Sequence, residues 1–210
     1  ALHYCIGTAY FDCLQLETGR NANLYNLLEN SSFEGNYGTV PRGWTGQNLT
    51  VQVDKDTLVP SSSPATGNGM RIYDEPEKEK GVYQSILMNR FGNDMAFSVS
   101  AKVQASSAPD TPELGRQLGL AVTLSYIDSA QTVETQYIPF NAYCRSMQSI
   151  CQVIRPAPEN RTKMIGSIKI ACIYDKNINA AIFYDLQLNV DQSGSNYSYD
   201  EKGNLITSVD

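Results

Sequence analysis

Histidine is nearly missing from this chain: His3 is the only one in 210 residues. A Ser-His-Asp or Cys-His device needs an imidazole to move the proton, and residues 24–190 contain none. A surplus of positive charge is missing too. Sixteen Lys and Arg stand against 22 Asp and Glu, for a net charge of −6. That argues against the basic surface from which nonspecific nucleic-acid binding draws its counterion-release energy, and it disfavours docking on anionic lipid. Long apolar runs are also lacking: no stretch reaches the roughly 20 residues that cross a bilayer as a helix. The five cysteines, Cys5, Cys13, Cys144, Cys151 and Cys172, are odd in number and irregular in spacing. Cys144-x6-Cys151 is not a zinc spacing. The thiols are either free and mostly buried, since Cys packs as a small hydrophobe, or Cys144 and Cys151 are bridged across a hairpin. Carboxylates are plentiful, but no two are placed by the sequence across a cleft, so no acid/base pair is assigned. No enzymatic activity is expected of this segment.

Aromatic residues suited to pleated sheets are abundant, with 13 Tyr and six Phe. Short runs of β-branched and aromatic residues recur between turn signals. Residues 96–106 alternate, with Phe97, Val99, Ala101 and Val103 on one face and Ser98, Ser100, Lys102 and Gln104 on the other. Residues 118–127 do the same through Leu118, Leu120, Val122, Leu124 and Tyr126, and residues 166–174 through Ile168, Ile170 and Cys172. Such alternation marks half-buried antiparallel strands. Further strands are expected at 49–53, 69–73, 82–88, 132–139, 148–155 and 181–190. Val82, Gln84, Ile86 and Met88 share one side of the 82–88 strand. Residues 74–81 and the Pro-containing stretch 106–112 read as loops. About nine or ten strands with no long helix give an all-β, antiparallel β-sandwich.

The two ends of the chain resemble each other. Aligning Ala9 with Ala181 matches GTAYFDCLQLE to NAAIFYDLQLN at Ala, Phe, Leu, Gln and Leu. A tandem array explains this: residues 1–23 would hold the last strand of a preceding unit plus a linker, and 24–190 one complete unit. Residues 26–34, Asn-Leu-Leu-Glu-Asn-Ser-Ser-Phe-Glu, followed by Gly43-Trp44, resemble the opening N-L-x-x-N-x-x-F-E … G-W of carbohydrate-binding-module-like sandwiches with a galactose-binding-like jelly roll. Phe183-Tyr184-Asp185-Leu186-Gln187-Leu188 is similar to their last strand, F-x-D-[VL]-x-L. Tyr199-Asp200-Glu201-Lys202-Gly203-Asn204-Leu205 looks like the first Y-D-x-x-G-N-L repeat of RHS/YD-repeat proteins, which are very large bacterial surface or secreted proteins. Residues 191–198 would then be a polar hinge before the start of a YD repeat in 191–210.

In the resembled sandwiches a structural calcium often joins the N-terminal segment to the last strand. The resemblance therefore implies Glu34 and Asp185 as calcium ligands, helped by Asn30 or nearby carbonyls, which suits an ion that takes six to eight oxygens. The alternative is that Glu34 and Asp185 are ordinary turn and edge carboxylates. The resemblance also implies a glycan of cell wall or host as partner, beside neighbouring domains of a parent protein on the cell surface or outside the cell. A sugar needs an aromatic face for its C–H surface and planar polar groups for its hydroxyls. Trp44, Tyr37, Tyr73, Tyr83 and Tyr126 are the candidate platforms, with Arg42, Gln84 and Gln187 as hydrogen-bonding partners. Two other readings need no sugar: a structural spacer in a tandem sandwich array, and a protein-binding adhesion domain with an exposed apolar patch.

Overall fold

The computed structural model describes residues 26–37, 39–50, 56–60, 68–73, 75–88, 93–105, 117–141, 143–191, 196–199 and 205–209. The expected repeat remnant in 1–23, the loop at 106–112 and most of the expected 49–53 strand lie outside the described residues.

The chain runs through β1 (Asn36–Tyr37), β2 (Val40–Pro41), β3 (Thr45–Gln47), β4 (Thr57–Pro60), β5 (Asn68–Tyr73), β6 (Gly81–Leu87) and β7 (Ala96–Ala105). It continues through β8 (Gln117–Tyr126), β9 (Val133–Pro139), β10 (Gln148–Ile154), β11 (Ile165–Asp175) and β12 (Ala180–Asp191), and ends in β13 (Asn196–Tyr199) and β14 (Leu205–Val209). Two five-stranded sheets dominate. The first has the order β10-β7-β12-β5-β4 and the second β3-β6-β11-β8-β9. Every pairing among the described residues is antiparallel, so the fold is an all-β sandwich, and the described residues add a short 3-10 turn at Pro158–Asn160.

The inner faces follow the alternation of the sequence. From the first sheet Phe97, Val99, Ala101 and Val103 are buried, and from the second Leu118, Leu120, Val122, Leu124, Ile168, Ile170 and Cys172. These side chains join one hydrophobic cluster. Burial pushes the Cys172 thiol well above its usual range, as expected where a thiolate would be desolvated. Cys144 and Cys151 are not bridged, and against the expectation of mostly buried thiols Cys144 is half-buried and Cys151 exposed, while Cys5 and Cys13 lie outside the described residues. Cys144 and Cys151 border the same surface cavity.

One strand departs from simple alternation. In β12, Phe183 and Leu186 both point inward although they are three residues apart. A bulge between Tyr184 and Gln187 absorbs the extra residue, and Asp185 takes a left-handed φ of 48° there. A bulge lets two residues oppose one on the partner strand and resets the phase. The segment 26–28 is tied to this strand just past the bulge. Asn26 Nδ2 donates to the Leu186 carbonyl at 3.0 Å, Leu188 N donates to Asn26 Oδ1 at 2.9 Å, and Leu27 N donates to the Leu188 carbonyl at 2.8 Å.

A buried ionic cluster closes the end of the sandwich near β4 to β6. Lys80 and Asp56 are both fully buried, with Lys80 Nζ 2.5 Å from Asp56 Oδ2 and 2.9 Å from Glu75 Oε2. Asp56 also accepts the backbone N–H groups of Thr50 and Tyr73. Hydrogen bonds from Thr50, Lys78 and Lys80 hold the Glu75 carboxyl down to about 2. Each buried charge is paired, as burial requires. The sequence reading differs from the structure at 196–198: the expected hinge contains β13, which pairs with β14 around the Y-D-x-x-G-N-L motif.

Candidate functional site

The outer face of the second sheet brings two tyrosines into one cross-strand row. Tyr83 on β6 pairs with Ala171 on β11, Ala171 with Ala121 on β8, and Ala121 with Tyr137 on β9. Directly opposed residues in antiparallel strands share a face. With strands about 4.8 Å apart, Tyr83 and Tyr137 are separated by roughly 14 Å of low relief floored by two alanines. Glycine shapes one end. A Cβ on Gly119 would lie 2.6 Å from both the Tyr137 ring and the Ile138 carbonyl oxygen, so only glycine lets Tyr137 pack onto β8. Tyr137 remains 38% exposed.

The adjacent row is hydroxylic and carries one cation. Ser85, Lys169, Thr123 and Thr135 are neighbours across the sheet, and the Thr123 and Thr135 hydroxyls are 2.9 Å apart. Lys169 Nζ lies over the Tyr83 ring, 5.2 Å from its centroid, within cation–π range. Toward the other end of β11, Asp175 stands in the same facing phase. Burial and the nearby Glu79 push its carboxyl up to about 6, against the opposing pull of Lys176. Burial and the Asp175 charge raise the Tyr137 phenol to about 12. This face therefore offers aromatic surface, hydroxyls and an ammonium on rigid strands.

The outer face of the first sheet differs. A cavity of about 710 Å³ lies between β7, β10, β12 and the segment 141–147, bordered by Ser100, Lys102, Asp185, Gln187 and Cys151 among others. Among the described residues no aromatic side chain lines it, so these residues offer a sugar ring hydrogen-bonding groups and no stacking surface. Its charges are satisfied internally: Lys102 Nζ donates to Asp185 Oδ2 at 2.7 Å.

The sequence candidates scatter. Trp44 does not serve as a platform, because it is a core residue. Its ring meets Phe33 edge-on at 5.2 Å, and its Nε1 donates to the carbonyls of Glu29 and Asn30. Gln84 is buried and fully committed: Oε1 accepts Glu29 N, and Nε2 donates to the carbonyls of Glu29 and Gly43. Tyr126 faces the core, with its hydroxyl donating to Glu134 Oε2 at 2.9 Å. Tyr73 is half-buried on β5, Arg42 is exposed on the loop after β2, and the Tyr37 side chain lies outside what is described. Gln187 is exposed at the cavity of the first sheet. Of the expected residues, only Tyr83 reaches the two-tyrosine face.

The expected calcium ligands sit in three settings. Asp185 is engaged by Lys102. Asn30 organises its own loop: Oδ1 accepts Glu34 N at 2.8 Å, and Nδ2 donates to the carbonyls of Gly35 and Arg42. Glu34 is exposed. Among the described residues no three His, Cys, Asp or Glu side chains gather about one point. The junction of N-terminal segment and last strand is held by the Asn26 amide.

Among the described residues no helix is long and apolar enough to cross a membrane. No family model matches the chain. It is 22% identical over 204 residues to the tRNA(Glu)-specific nuclease WapA of Bacillus subtilis subsp. natto strain BEST195 and to the tRNA nuclease WapA of strain 168. That alignment covers 96% of this chain and only 8% of those proteins. Among solved structures, a family 16 carbohydrate-binding module superimposes with TM-score 0.51 at 16% identity, covering 78% of this chain and 99% of the module. The CBM22-1-GH10 modules of Clostridium thermocellum xylanase 10B, complexed with xylohexaose, give 0.50 at 15%, covering 80% and 29%. A Stig cyclase from Fischerella sp. TAU gives 0.54 at 15%, covering 81% and 98%. The fold is that of carbohydrate-binding-module-like β-sandwiches, and the cyclase shows that the same architecture also serves an enzyme.

Proposed function

We propose that this domain is a non-catalytic glycan-binding module of a larger secreted or cell-surface protein of the RHS/YD-repeat type. The single observation that carries the reading is the Tyr83–Ala171–Ala121–Tyr137 row on an open sheet face. Two rings flanking a flat floor suit the C–H surfaces of an oligosaccharide lying across the strands, while Ser85, Thr123 and Thr135 meet its hydroxyls. The sandwich holds these groups on paired strands, so little ordering is needed on binding. The carbohydrate-binding-module-like fold supports the assignment. The β13–β14 pairing at the Tyr199 motif supports the YD-repeat parentage. The nuclease activity named for WapA belongs to proteins of which this segment matches 8%, and in this reading the domain accompanies such an activity without performing it.

A glycan array followed by calorimetric titration of the bound oligosaccharide tests the proposal. Tyr83→Ala and Tyr137→Ala should each weaken binding at least tenfold while both variants remain folded at the assay temperature. An intact fold that binds no saccharide at millimolar concentration would overturn it. A protein-binding reading has one specific observation in its favour. Leu87, Ile127, Val133 and Met164 are exposed large apolar side chains, and Leu87 and Val133 lie in the row joined by Ser167 and Ser125 at one end of the same face. Such a patch is a common mark of a protein contact.

A further inference from the structure

Among the described residues of this acidic chain the lysines are almost all neutralised. Lys78 and Lys80 pair with Glu75, Lys80 also with Asp56, Lys102 with Asp185, Lys163 with Asp128, and Lys176 with Glu79. Lys169 is the exception among the described residues: no carboxylate lies within ion-pair distance of it, and its ammonium rests over the Tyr83 ring. It stands on β11, the central strand of the second sheet, half-buried, with Ser85 and Thr123 directly beside it. Asp175, which shares its strand and facing phase, is six residues away, or roughly 20 Å along a strand. In a chain of net charge −6, a cation without a counter-charge at the centre of an aromatic and hydroxylic face is a feature that folding does not require. Its charge complements an anion that comes with the ligand.

We propose that the glycan taken by this face is anionic, with its carboxylate or phosphate group seated on Lys169 between the Ser85 and Thr123 hydroxyls. This rests on the reading of the face as a glycan site and specifies the ligand class for it. Lys169 gives up its place over Tyr83, and the sugar ring takes that stacking surface. Lysine meets either anion as a compact point charge with three donors, so uronic acid and sugar phosphate are both within the class.

The test is calorimetric titration of the full chain at low ionic strength. The ligands are trigalacturonate, its neutral counterpart α-1,4-galactotriose and a phosphorylated maltotriose. The wild type should bind at least one charged trisaccharide ten or more times more tightly than galactotriose, and added salt should reduce the difference. Lys169→Met should abolish the preference and Lys169→Arg should retain it, both with the wild-type melting temperature. Whether trigalacturonate or the phosphorylated sugar gains more identifies the anion. Equal or tighter binding of galactotriose, unaffected by Lys169→Met, would overturn the anionic class while leaving the glycan face standing. Absence of binding by all three, with Tyr83→Ala equally silent, would overturn both.

Discussion

The two outer faces of the sandwich are built from the same kind of strand and are equipped in opposite ways. On the first sheet the cavity beside β7, β10 and β12 has room, but its lysine is held by Asp185 and no ring lines it among the described residues. On the second sheet two tyrosines and a lysine without a carboxylate share the outer face. Volume alone would direct attention to the first face. Chemistry directs it to the second, because a pyranose is recognised by stacking and hydroxyl contacts on one surface and does not need enclosure. A satisfied ion pair offers a ligand little, since the ligand must first displace what is already there.

The contrast can be broken most forcefully by separating scaffold from surface. Trp44→Ala removes a buried ring that packs on Phe33 and should lower unfolding free energy by about 3–5 kcal/mol. Tyr83→Ala, on the open face, should change it by no more than about 0.5 kcal/mol. Chemical denaturation of the two variants checks this, and similar losses for both would mean that Tyr83 is scaffold too. The next effect is on affinity. Ser100→Ala and Gln187→Ala in the first-sheet cavity should leave oligosaccharide affinity within twofold of wild type, while Tyr137→Ala lowers it at least tenfold. The reverse pattern would move the site to the cavity. A smaller effect is expected from Lys102→Met, which removes a partly exposed pair with Asp185. It should cost under about 1 kcal/mol, read as a thermal shift. Repeating that scan with calcium and with EGTA asks whether Asp185, released from Lys102, recruits the ion.

The smallest effect concerns pH. Asp175 has its carboxyl raised to about 6 by burial and Glu79, with Lys176 and the Tyr137 phenol also near it. A carboxyl raised in the folded state contributes stability at low pH that is lost as pH rises through about 6. Glu75 and Asp128, both held near 2, act in the opposite sense and only below the ordinary carboxylate range. Between pH 5 and 7.5 the trend should therefore belong to Asp175. Asp175→Asn should raise the melting temperature at pH 7.5 more than at pH 5, and an equal change at both would contradict the assignment.

Fold and site were legible to different degrees, for a physical reason. The strands β7, β8 and β11 are long and half-buried, so their alternation is written over ten or eleven residues. The strands β1 to β4 have two to four residues each, too few to show a period. The opening motif holds two of the candidate residues, and both make structure: Trp44 packs on Phe33 and Asn30 ties its loop, while Gln84 on β6 clamps Glu29 and Gly43. Tyr126, offered by the sequence as a platform, is in phase with Leu118 to Leu124, and that phase turns it into the core. Tyr137 is not among the sequence candidates, although its opposite phase to the buried Ile138 marks an outward ring. Its alignment with Ala121 and Gly119 depends on register between strands, which no single-strand pattern carries.

The clamp at Asn26 has a mechanical consequence. It holds the segment that enters the sandwich against the strand that leaves it, through two bonds of one amide side chain and one backbone bond. If the chain were pulled from both sides, these few bonds would take the load first, ahead of the long ladders of β7, β8 and β11. The tyrosine row lies on the other sheet, off that line of force. Such a domain would keep its outer face intact under tension, much as a bead keeps its shape when the string beside it is drawn tight.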